Sequence, residues 1–422
     1  MSTGALPPEH HHVPPADIVT PNPRTSPELG RYQGTDYFFM SDMLSAEERA
    51  IRTRVSSFVD EHVLPVANHY WERAEFPSDL VSRWAELGLA GGTIQGYGCP
   101  GLTPLAEGLA TMQLARGDGS LALIHAVHSG LNMHVIDMVG SEEQKERWLP
   151  DMARWGTLSA FALTEPEHGS DVVQMGTTAR RDGNSWVLNG AKRWIGLGTI
   201  ADLVLVWARD EHTGGVGCFV VDRRDPAQAM GYQASVMHGK SAMRAMVNAD
   251  ISLDDVRVPV ENRLEGAHTF ADTSRCLTKS RQSIAWAALG HAVAAYECAL
   301  IYVKQRSQFG QPLARFQLIQ EKLARMVADI TSMQMMCLRL AQLEAEGRVG
   351  LEHAALAKLS TADGARRVCS MARDMLGGNG ILLDHHVARH LADVEAIYTF
   401  EGTDTVQALI VGRAITGLSA FV

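Results

Sequence analysis

The spacing of apolar residues changes twice along this chain of 422 residues, and that change constrains the fold more than any other feature. From Ser41 to about Arg154 the apolar residues recur at helical spacing. After Gly156 they alternate, as they do in half-buried strands, and from about Glu265 the helical spacing returns. The pattern predicts an α+β multidomain protein in which a β domain lies between two helical domains.

Four segments follow from this pattern together with composition. The first is rich in Pro and Gly, which predicts a disordered arm in which the successive histidines His10 to His12 are incidental and not metal ligands. The others are an N-terminal helical domain, a β domain and a C-terminal helical bundle. The predicted bounds of the four segments are 1–34, 35–155, 156–264 and 265–422.

Local signals place helices and strands within these segments. Ser45 followed by Glu47 and Glu48 is typical of a capped helix start. Asp182-Gly183 and Asn189-Gly190 are typical of hairpin turns. The predicted strands are Thr177–Arg180, Trp186–Leu188, Leu203–Arg209, Gly217–Val221 and Asp250–Leu253. The predicted helices of a C-terminal four-helix bundle are Thr269–Arg306, Gln317–Gly347, Leu351–Leu376 and Asp404–Leu418.

Charge and cysteine usage argue against several classes of protein. The formal net charge is −10 and there is no run of Lys or Arg, so we expect no nucleic-acid partner. Six cysteines without a Cys-x-x-Cys pair fit reduced thiols in an intracellular protein. No apolar run has the length of a membrane span, and the N-terminus lacks the features of a signal or transit peptide, so we expect a cytoplasmic protein.

His125 and His128 would share a helix face, but without a third ligand at a suitable spacing we expect core or pocket histidines and no metal.

Glu401, in the stretch Phe400-Glu401-Gly402-Thr403, is the carboxylate with the most unusual surroundings. Desolvation by apolar neighbours would raise its pKa and suit it to remove a proton next to a carbonyl group. The alternative is a helix N-terminus, where the helix dipole favours an acidic side chain. Sequence spacing alone leaves both interpretations open.

Five motifs in the chain resemble those of the acyl-CoA dehydrogenase family, and they occur in the family's order. The resemblance extends from about residue 37 to the C-terminus. Within the family the chain is most similar to glutaryl-CoA dehydrogenases and to plant short-chain acyl-CoA oxidases, through Ala90–Gly98 and Gly412–Gly417. The five motifs are Phe161–Asp171, Lys192–Ile195, Arg306–Gly310, Leu376–Gly380 and Phe400–Thr403.

The resemblance implies a fold, a cofactor and a reaction. The fold has an N-terminal helical domain, a central β-barrel-like domain and a C-terminal four-helix bundle, usually in a homotetramer. FAD would lie between the β domain and the bundle, with contacts from a neighbouring subunit. The reaction is α,β-dehydrogenation of an acyl-CoA thioester, and the electrons pass to an electron-transfer flavoprotein or, in an oxidase, to O₂.

Residue by residue, the resemblance assigns roles to positions in this chain. Glu401 matches the catalytic base, and the position that carries the base in some family members is Ser280 here. The residues expected to contact FAD are Phe161, Leu163, Thr164, Ser170, Trp194, Ile195, Arg306, Phe309, Gly377, Gly378, Thr403 and Thr405. The residues expected to contact the acyl-CoA are Ser170, Arg281, Gly402 and Ala122.

Two departures from the family pattern bear on substrate and electron acceptor. Ala122 stands where glutaryl-CoA dehydrogenases have an Arg for the distal carboxylate, so we expect a neutral short acyl chain. Gly196 stands where many dehydrogenases have a Thr or Ser that bonds flavin N5, and its lack of a side chain would open room for oxygen. We favour a dehydrogenase; the alternatives are a short-chain acyl-CoA oxidase, a glutaryl-CoA dehydrogenase and a non-catalytic scaffold of the same fold.

Overall fold

The computed structural model describes residues 34–420. The predicted disordered arm, including His10 to His12, lies outside the described residues except for Gly34. The described chain forms helices first, then a sheet, then long helices. This order confirms the predicted fold class.

The N-terminal helices are joined in two places by π-helical turns. The helices are α1 (Ala46–Phe58), α2 (Leu64–Arg73), α3 (Val81–Glu86), α4 (Pro104–Gly117), α5 (Gly119–His125), α6 (His134–Val139) and α7 (Glu142–Ala153). The predicted cap of α1 is present, because the Ser45 hydroxyl accepts from the Glu48 N–H at 3.2 Å and the Glu48 carboxylate accepts from the Ser45 N–H at 2.8 Å. The π-helical segments Val59–Val63 and Ala126–Met133 join α1 to α2 and α5 to α6.

The middle region forms one seven-stranded sheet. Its strands are β1 (Ser159–Ala162), β2 (Thr178–Asp182), β3 (Ser185–Gly196), β4 (Leu203–Asp210), β5 (Val216–Asp222), β6 (Tyr232–Val236) and β7 (Asn248–Pro259), with a short helix α8 (Pro226–Ala229) between β5 and β6. The order is β1-β4-β2-β3-β7-β6, and β5 pairs with β4. β1 and β2 run parallel to β4, whereas the other pairs are antiparallel. Sequence analysis missed β1 and β6 and made β3 and β7 too short.

Of the two predicted hairpin turns, one is confirmed and one is wrong. Asp182 pairs with Ser185, so Asp182-Gly183 does open the β2–β3 hairpin. Asn189-Gly190 instead lies inside β3 at a shift in its register with β7. Gly190 has φ 145°, and a Cβ there would stand 2.7 Å from a backbone atom of the neighbouring strand segment. The glycine therefore marks a bulge and a close backbone approach and not a chain reversal.

The C-terminal region contains five long helices. They are α9 (Phe270–Gln305), α10 (Gln317–Ala345), α11 (Leu351–Met375), α12 (Val387–Thr399) and α13 (Asp404–Thr416), and a small hairpin of β8 (Ser307–Gln308) and β9 (Gln311–Pro312) follows α9. The four predicted helices are present, and α12 is an additional one that the sequence analysis did not predict. Among the described residues only α9 is long and apolar enough to cross a membrane, and 78% of its apolar window is buried inside the protein, as in a core helix.

Candidate active site

The loop between α12 and α13 places Glu401 outside any helix. Glu401 and Gly402 both have left-handed backbone conformations, with φ 57° and 85°. The helix cap belongs to Thr403, whose hydroxyl accepts from the Val406 N–H at 3.3 Å. Glu401 therefore does not occupy the first turn of α13, which was its alternative interpretation. A left-handed non-glycine residue costs roughly 1–3 kcal/mol and persists only where the surroundings hold it.

Donors from three helices hold this loop and the last turn of α12 through main-chain carbonyl groups. The Lys358 ammonium on α11 donates to the carbonyl of Gly402 at 2.7 Å and to that of Tyr398 at 3.1 Å. The Gln407 amide on α13 donates to the Glu401 carbonyl at 2.8 Å, and Arg281 Nε on α9 donates to it at 3.3 Å. A side chain at position 402 would overlap the Gln407 amide, so Gly402 is required by space as well as by φ.

The Glu401 side chain is partly buried, and one hydroxyl holds its carboxylate. Ser280 on α9 donates to its Oε2 at 3.0 Å. Burial raises the pKa of Glu401, and the charges of Arg281 and Lys358 together with the Ser280 hydrogen bond oppose that shift. A carboxylate of this kind is a stronger base than an exposed one, as removal of a carbon-bound proton requires.

Lys358 is a residue of the candidate site that sequence analysis missed. It is fully buried, and no carboxylate lies within 4 Å of its ammonium among the described residues 34–420. Burial lowers its pKa to about 8, and the nearby charges of Glu401 and Asp404 oppose the shift. The signal was a lysine on the small-residue buried stripe of α11, beside Ala354, Ala355 and Ala357.

A buried ion pair organises the end of β1 and the segment that follows it. Lys192 on β3 lies 2.8 Å from the Glu165 carboxylate and donates to the Leu163 carbonyl at 3.0 Å. Burial acts against the charge of Glu165, but Lys192 and hydrogen bonds from Thr177 and Gly176 lower its pKa to about 2. The pair thereby fixes the segment that carries Leu163 and its neighbours against β3.

Next to this segment an aromatic surface is left open. Trp194 has φ 66°, its side chain is 53% exposed, and its carbonyl accepts from the Asn248 amide at 3.0 Å. The Thr164 carbonyl accepts from the Arg193 N–H at 2.8 Å, which joins the predicted residues on β1 and β3. An exposed flat ring on a rigid strand end fits a planar cofactor such as the flavin of FAD.

Further predicted cofactor residues lie at the β8–β9 hairpin, in the segment after α11 and at the start of α13. Phe309, at the tip of the β8–β9 hairpin, is 93% exposed, and Arg306 at its base is exposed as well. A Cβ at Gly377 or Gly378 would meet nothing within 4 Å. The hydroxyls of the remaining two, Thr403 and Thr405, lie 3.0 Å apart at the start of α13.

The structure corrects the expectation that Gly196 opens room for oxygen. The terminal methyl group of Met246 occupies the place where a Cβ at position 196 would stand. Met246 itself is 1% exposed. The space released by the missing side chain is therefore filled.

A charged cluster that the sequence analysis did not find lies beside Ser280. Lys279 Nζ lies 2.8 Å from a Glu107 oxygen and 2.6 Å from a Glu344 oxygen. Burial lowers the pKa of the adjacent His134, which leaves it neutral near pH 7. Two carboxylates thus face one ammonium in this part of the protein.

The histidines considered as a metal pair have other surroundings. The His128 ring makes hydrogen bonds at 3.0 Å with both the Ser159 hydroxyl and the Met152 carbonyl. His125 is buried and stacks with Trp84 and Trp155, and burial lowers its pKa to about 4. His128 is therefore a satisfied core residue, and His125 is a core residue through its packing.

Comparison with family models gives matches to three acyl-CoA dehydrogenase domains in succession. The N-terminal domain model matches residues 45–155, the middle domain model residues 160–256 and the C-terminal domain model residues 270–416. The "Short-chain specific acyl-CoA dehydrogenase, mitochondrial" of Bos taurus is 32% identical over 378 residues, an alignment that covers 88% of this chain and 91% of the bovine protein.

Solved structures of glutaryl-CoA dehydrogenase from Mycobacterium smegmatis are similar over nearly the whole chain. One superposes with a TM-score of 0.88 at 39% identity and covers 92% of this chain and 100% of its own. A second, described as a complex with FADH2, also has a TM-score of 0.88, at 36% identity, and covers 91% of this chain and 98% of its own.

Proposed function

This chain belongs to the acyl-CoA dehydrogenase family, and on that premise we propose that it dehydrogenates a neutral short-chain acyl-CoA thioester with Glu401 as the base. Glu401 removes a proton from the α-carbon of the acyl group. FAD, when bound, accepts the hydride that leaves the β-carbon. The partly buried Glu401 carboxylate, with its raised pKa and its tightly held loop, is the observation that carries this proposal.

The Glu401 backbone supports the same step. Its N–H donates no hydrogen bond within the described residues 34–420, although its carbonyl accepts two. The left-handed conformation thus leaves an unused donor beside the base. A thioester oxygen that accepts from this N–H would be stabilised as negative charge develops on it.

We propose that FAD lies against the exposed face of Trp194, where the segment after β1 meets β3. The residues assigned to its flavin and pyrophosphate are Phe161, Leu163, Thr164, Ser170, Trp194 and Ile195. The exposed Arg306 and Phe309, with Gly377 and Gly378, would reach the FAD of a neighbouring subunit in a homotetramer, and Thr403 and Thr405 would lie near the phosphates. The exposed position of Phe309 supports this arrangement, because an aromatic side chain at a hairpin tip gains stability when a second subunit covers it.

Two features favour a neutral acyl chain over a glutaryl chain. Ala122 is 2% exposed in α5 and offers no cation to a distal carboxylate. The excess negative charge of Glu107 and Glu344 over Lys279 would oppose a further anion nearby. Similarity to the M. smegmatis structures makes glutaryl-CoA the second candidate substrate.

The test is anaerobic bleaching of the bound flavin by a series of acyl-CoA thioesters. We expect butyryl-CoA to bleach it and glutaryl-CoA to do so far more slowly; equal rates would contradict the proposed substrate. Glu401→Gln, which keeps shape and removes the base, should lower the bleaching rate by about 10²–10⁴-fold while FAD binding is retained. A colourless protein that takes up no FAD would favour a scaffold.

A further inference from the structure

We propose that Met246 closes the space beside Gly196 and thereby keeps molecular oxygen from the reduced cofactor, so that the enzyme delivers its electrons to a protein acceptor. The inference rests on the proposed function, in which Trp194 and Ile195, directly before Gly196, contact FAD. It assigns the choice of electron acceptor to a residue of the long connection between β6 and β7.

Met246 packs against Gly196 and fills the space that a side chain at position 196 would occupy. Gly196 is the last residue of that strand. The Met246 methyl group overlaps the place of a Cβ at position 196, and the Met246 sulfur would lie 3.5 Å from that Cβ. Any residue larger than glycine at position 196 therefore requires the Met246 side chain to move.

The loop that carries Met246 is held together by the partly buried ammonium group of Lys240. Lys240 Nζ donates to the carbonyls of Met243 and Met246 and, at 2.6 Å, to Asn248 Oδ1. Leu197 follows Gly196, and its N–H donates at 2.8 Å to the carbonyl of Val247, the residue after Met246. The methionine and the glycine thus belong to one hydrogen-bonded unit.

Both helical domains also anchor this loop. Arg244 Nε donates to the Trp71 carbonyl at 2.9 Å, and the Ala245 N–H donates to the Ser120 hydroxyl at 3.2 Å. The Met243 N–H donates to the Asp393 carboxylate on α12 at 2.6 Å. Movement of the whole loop would break its contacts to α2, α5 and α12. The space beside Gly196 can therefore open only if the Met246 side chain itself changes conformation.

Oxygen needs little room to react. An O₂ molecule that reaches the reduced cofactor takes two electrons and two protons from it and leaves as H₂O₂, and the cofactor returns to its oxidised form. An opening about the size of one water molecule is enough to admit a small diatomic molecule. The thioether of Met246 fills a space of that size, and a smaller side chain would not.

The experiment compares Met246→Ala, which removes the thioether, with Met246→Leu, which keeps a similar volume. The holoenzymes are reduced anaerobically with dithionite, without any acyl-CoA, and are then mixed with air-saturated buffer. Flavin absorbance reports reoxidation, and a coupled assay reports peroxide. We expect Met246→Ala to reoxidise at least about tenfold faster than wild type, about 1.4 kcal/mol in barrier height, and Met246→Leu to stay near the wild-type rate.

A second readout tests the packing without any turnover. Gly196→Ala should lower Tm in the wild-type background, because Met246 must move. The same change should have little effect on Tm in the Met246→Ala background. Such coupling is expected for residues that share one space, whereas equal Tm shifts in both backgrounds would show that the two residues are independent.

The outcomes separate this inference from the proposed function. Equal reoxidation rates for wild type and Met246→Ala overturn the role of Met246, whatever the acyl-CoA experiments show. Failure of every acyl-CoA to bleach the flavin overturns the proposed function but leaves the dithionite experiment valid. A protein that binds no FAD overturns both.

Discussion

Two lysines of this protein, Lys192 and Lys358, are completely buried, yet their charges are handled differently. Lys192 forms an ion pair with Glu165 at 2.8 Å. Within residues 34–420, Lys358 donates only to main-chain carbonyls, at 2.7 and 3.1 Å. Burial lowers the pKa of each to about 8. Equal burial and equal pKa therefore conceal two different roles.

The difference lies in where the field of each ammonium acts. Glu165 neutralises Lys192, so this pair mainly joins the segment after β1 to β3. Lys358 has no carboxylate partner within 4 Å among the described residues, and its charge reaches Glu401, whose pKa it lowers against the effect of burial. We infer that the paired lysine serves the fold and the other serves the base.

The largest effect that tests this comparison is expected from Lys192→Met. The change leaves the Glu165 carboxylate buried without its cation, and the free energy of unfolding should fall by about 3–5 kcal/mol. Thermal or urea unfolding of the holoenzyme measures it. Lys192→Met combined with Glu165→Gln should recover part of the loss, and a double variant no more stable than the single one would contradict the pairing.

Acid should cause a smaller loss at the same pair, because protonation leaves a neutral carboxyl group. The folded pKa of Glu165 is lowered from 4.5 to about 2. The stability that Glu165 contributes is therefore fully present above about pH 4.5 and is lost as the pH falls toward 2. Unfolding measured from pH 6 to pH 3 should show a steeper decline in wild type than in the double variant that lacks both charges.

Lys358→Met should affect catalysis more than stability. The substitution removes the hydrogen bonds that Lys358 donates to the Gly402 and Tyr398 carbonyls. Because these bonds position Glu401, their loss should lower kcat by roughly 10–100-fold. Without this positive charge the pKa of Glu401 rises, so the acid limb of the kcat/KM profile should move to higher pH. Lys358→Arg, which keeps the charge, should restore the limb; a wild-type profile in Lys358→Met would show that the field of Lys358 does not reach the base.

The smallest effect is expected from Ser280→Ala. It removes the 3.0 Å hydrogen bond to Glu401 Oε2 but no charge. The acid limb should move to higher pH by about one unit, and kcat should change less than in Lys358→Met. Ser280→Thr keeps the hydroxyl and serves as the control. A shift larger than that of Lys358→Met would make the hydroxyl, and not the lysine, the main influence on the base.

Local patterns predicted the parts of the fold that local forces determine. Ser45 and Glu48 form the cap that their spacing predicts, and α9 to α11 begin and end within a few residues of their predicted bounds. The helix α12 was missed because Arg389, His390 and Asp393 interrupt the apolar pattern of its buried face. Those three are tolerated only because distant segments of the chain surround them, which no local pattern records.

The candidate site, like the fold, could be predicted only in part from local sequence. The motifs predicted Glu401 as the base, but the partners that set its surroundings come from far along the chain. Lys358 and Glu401 meet only because α11 packs beside the loop, and Glu107 meets Lys279 over a separation of 172 residues. The expectation of open space at Gly196 was wrong for the same reason, since the side chain that fills this space, Met246, lies on the connection between β6 and β7.

Three consecutive residues of α9, Lys279, Ser280 and Arg281, each contact a different part of the site. Successive residues of an α-helix point about 100° apart, so neighbours in sequence face separate surroundings. A single substitution here can therefore change one property at a time: the net charge of the Glu107–Glu344–Lys279 cluster, the basicity of Glu401, or the hydrogen bond to the Glu401 carbonyl. A lineage could retune this enzyme through point mutations along one helical turn, whereas inserting or deleting a residue before Lys279 would misalign all three at once.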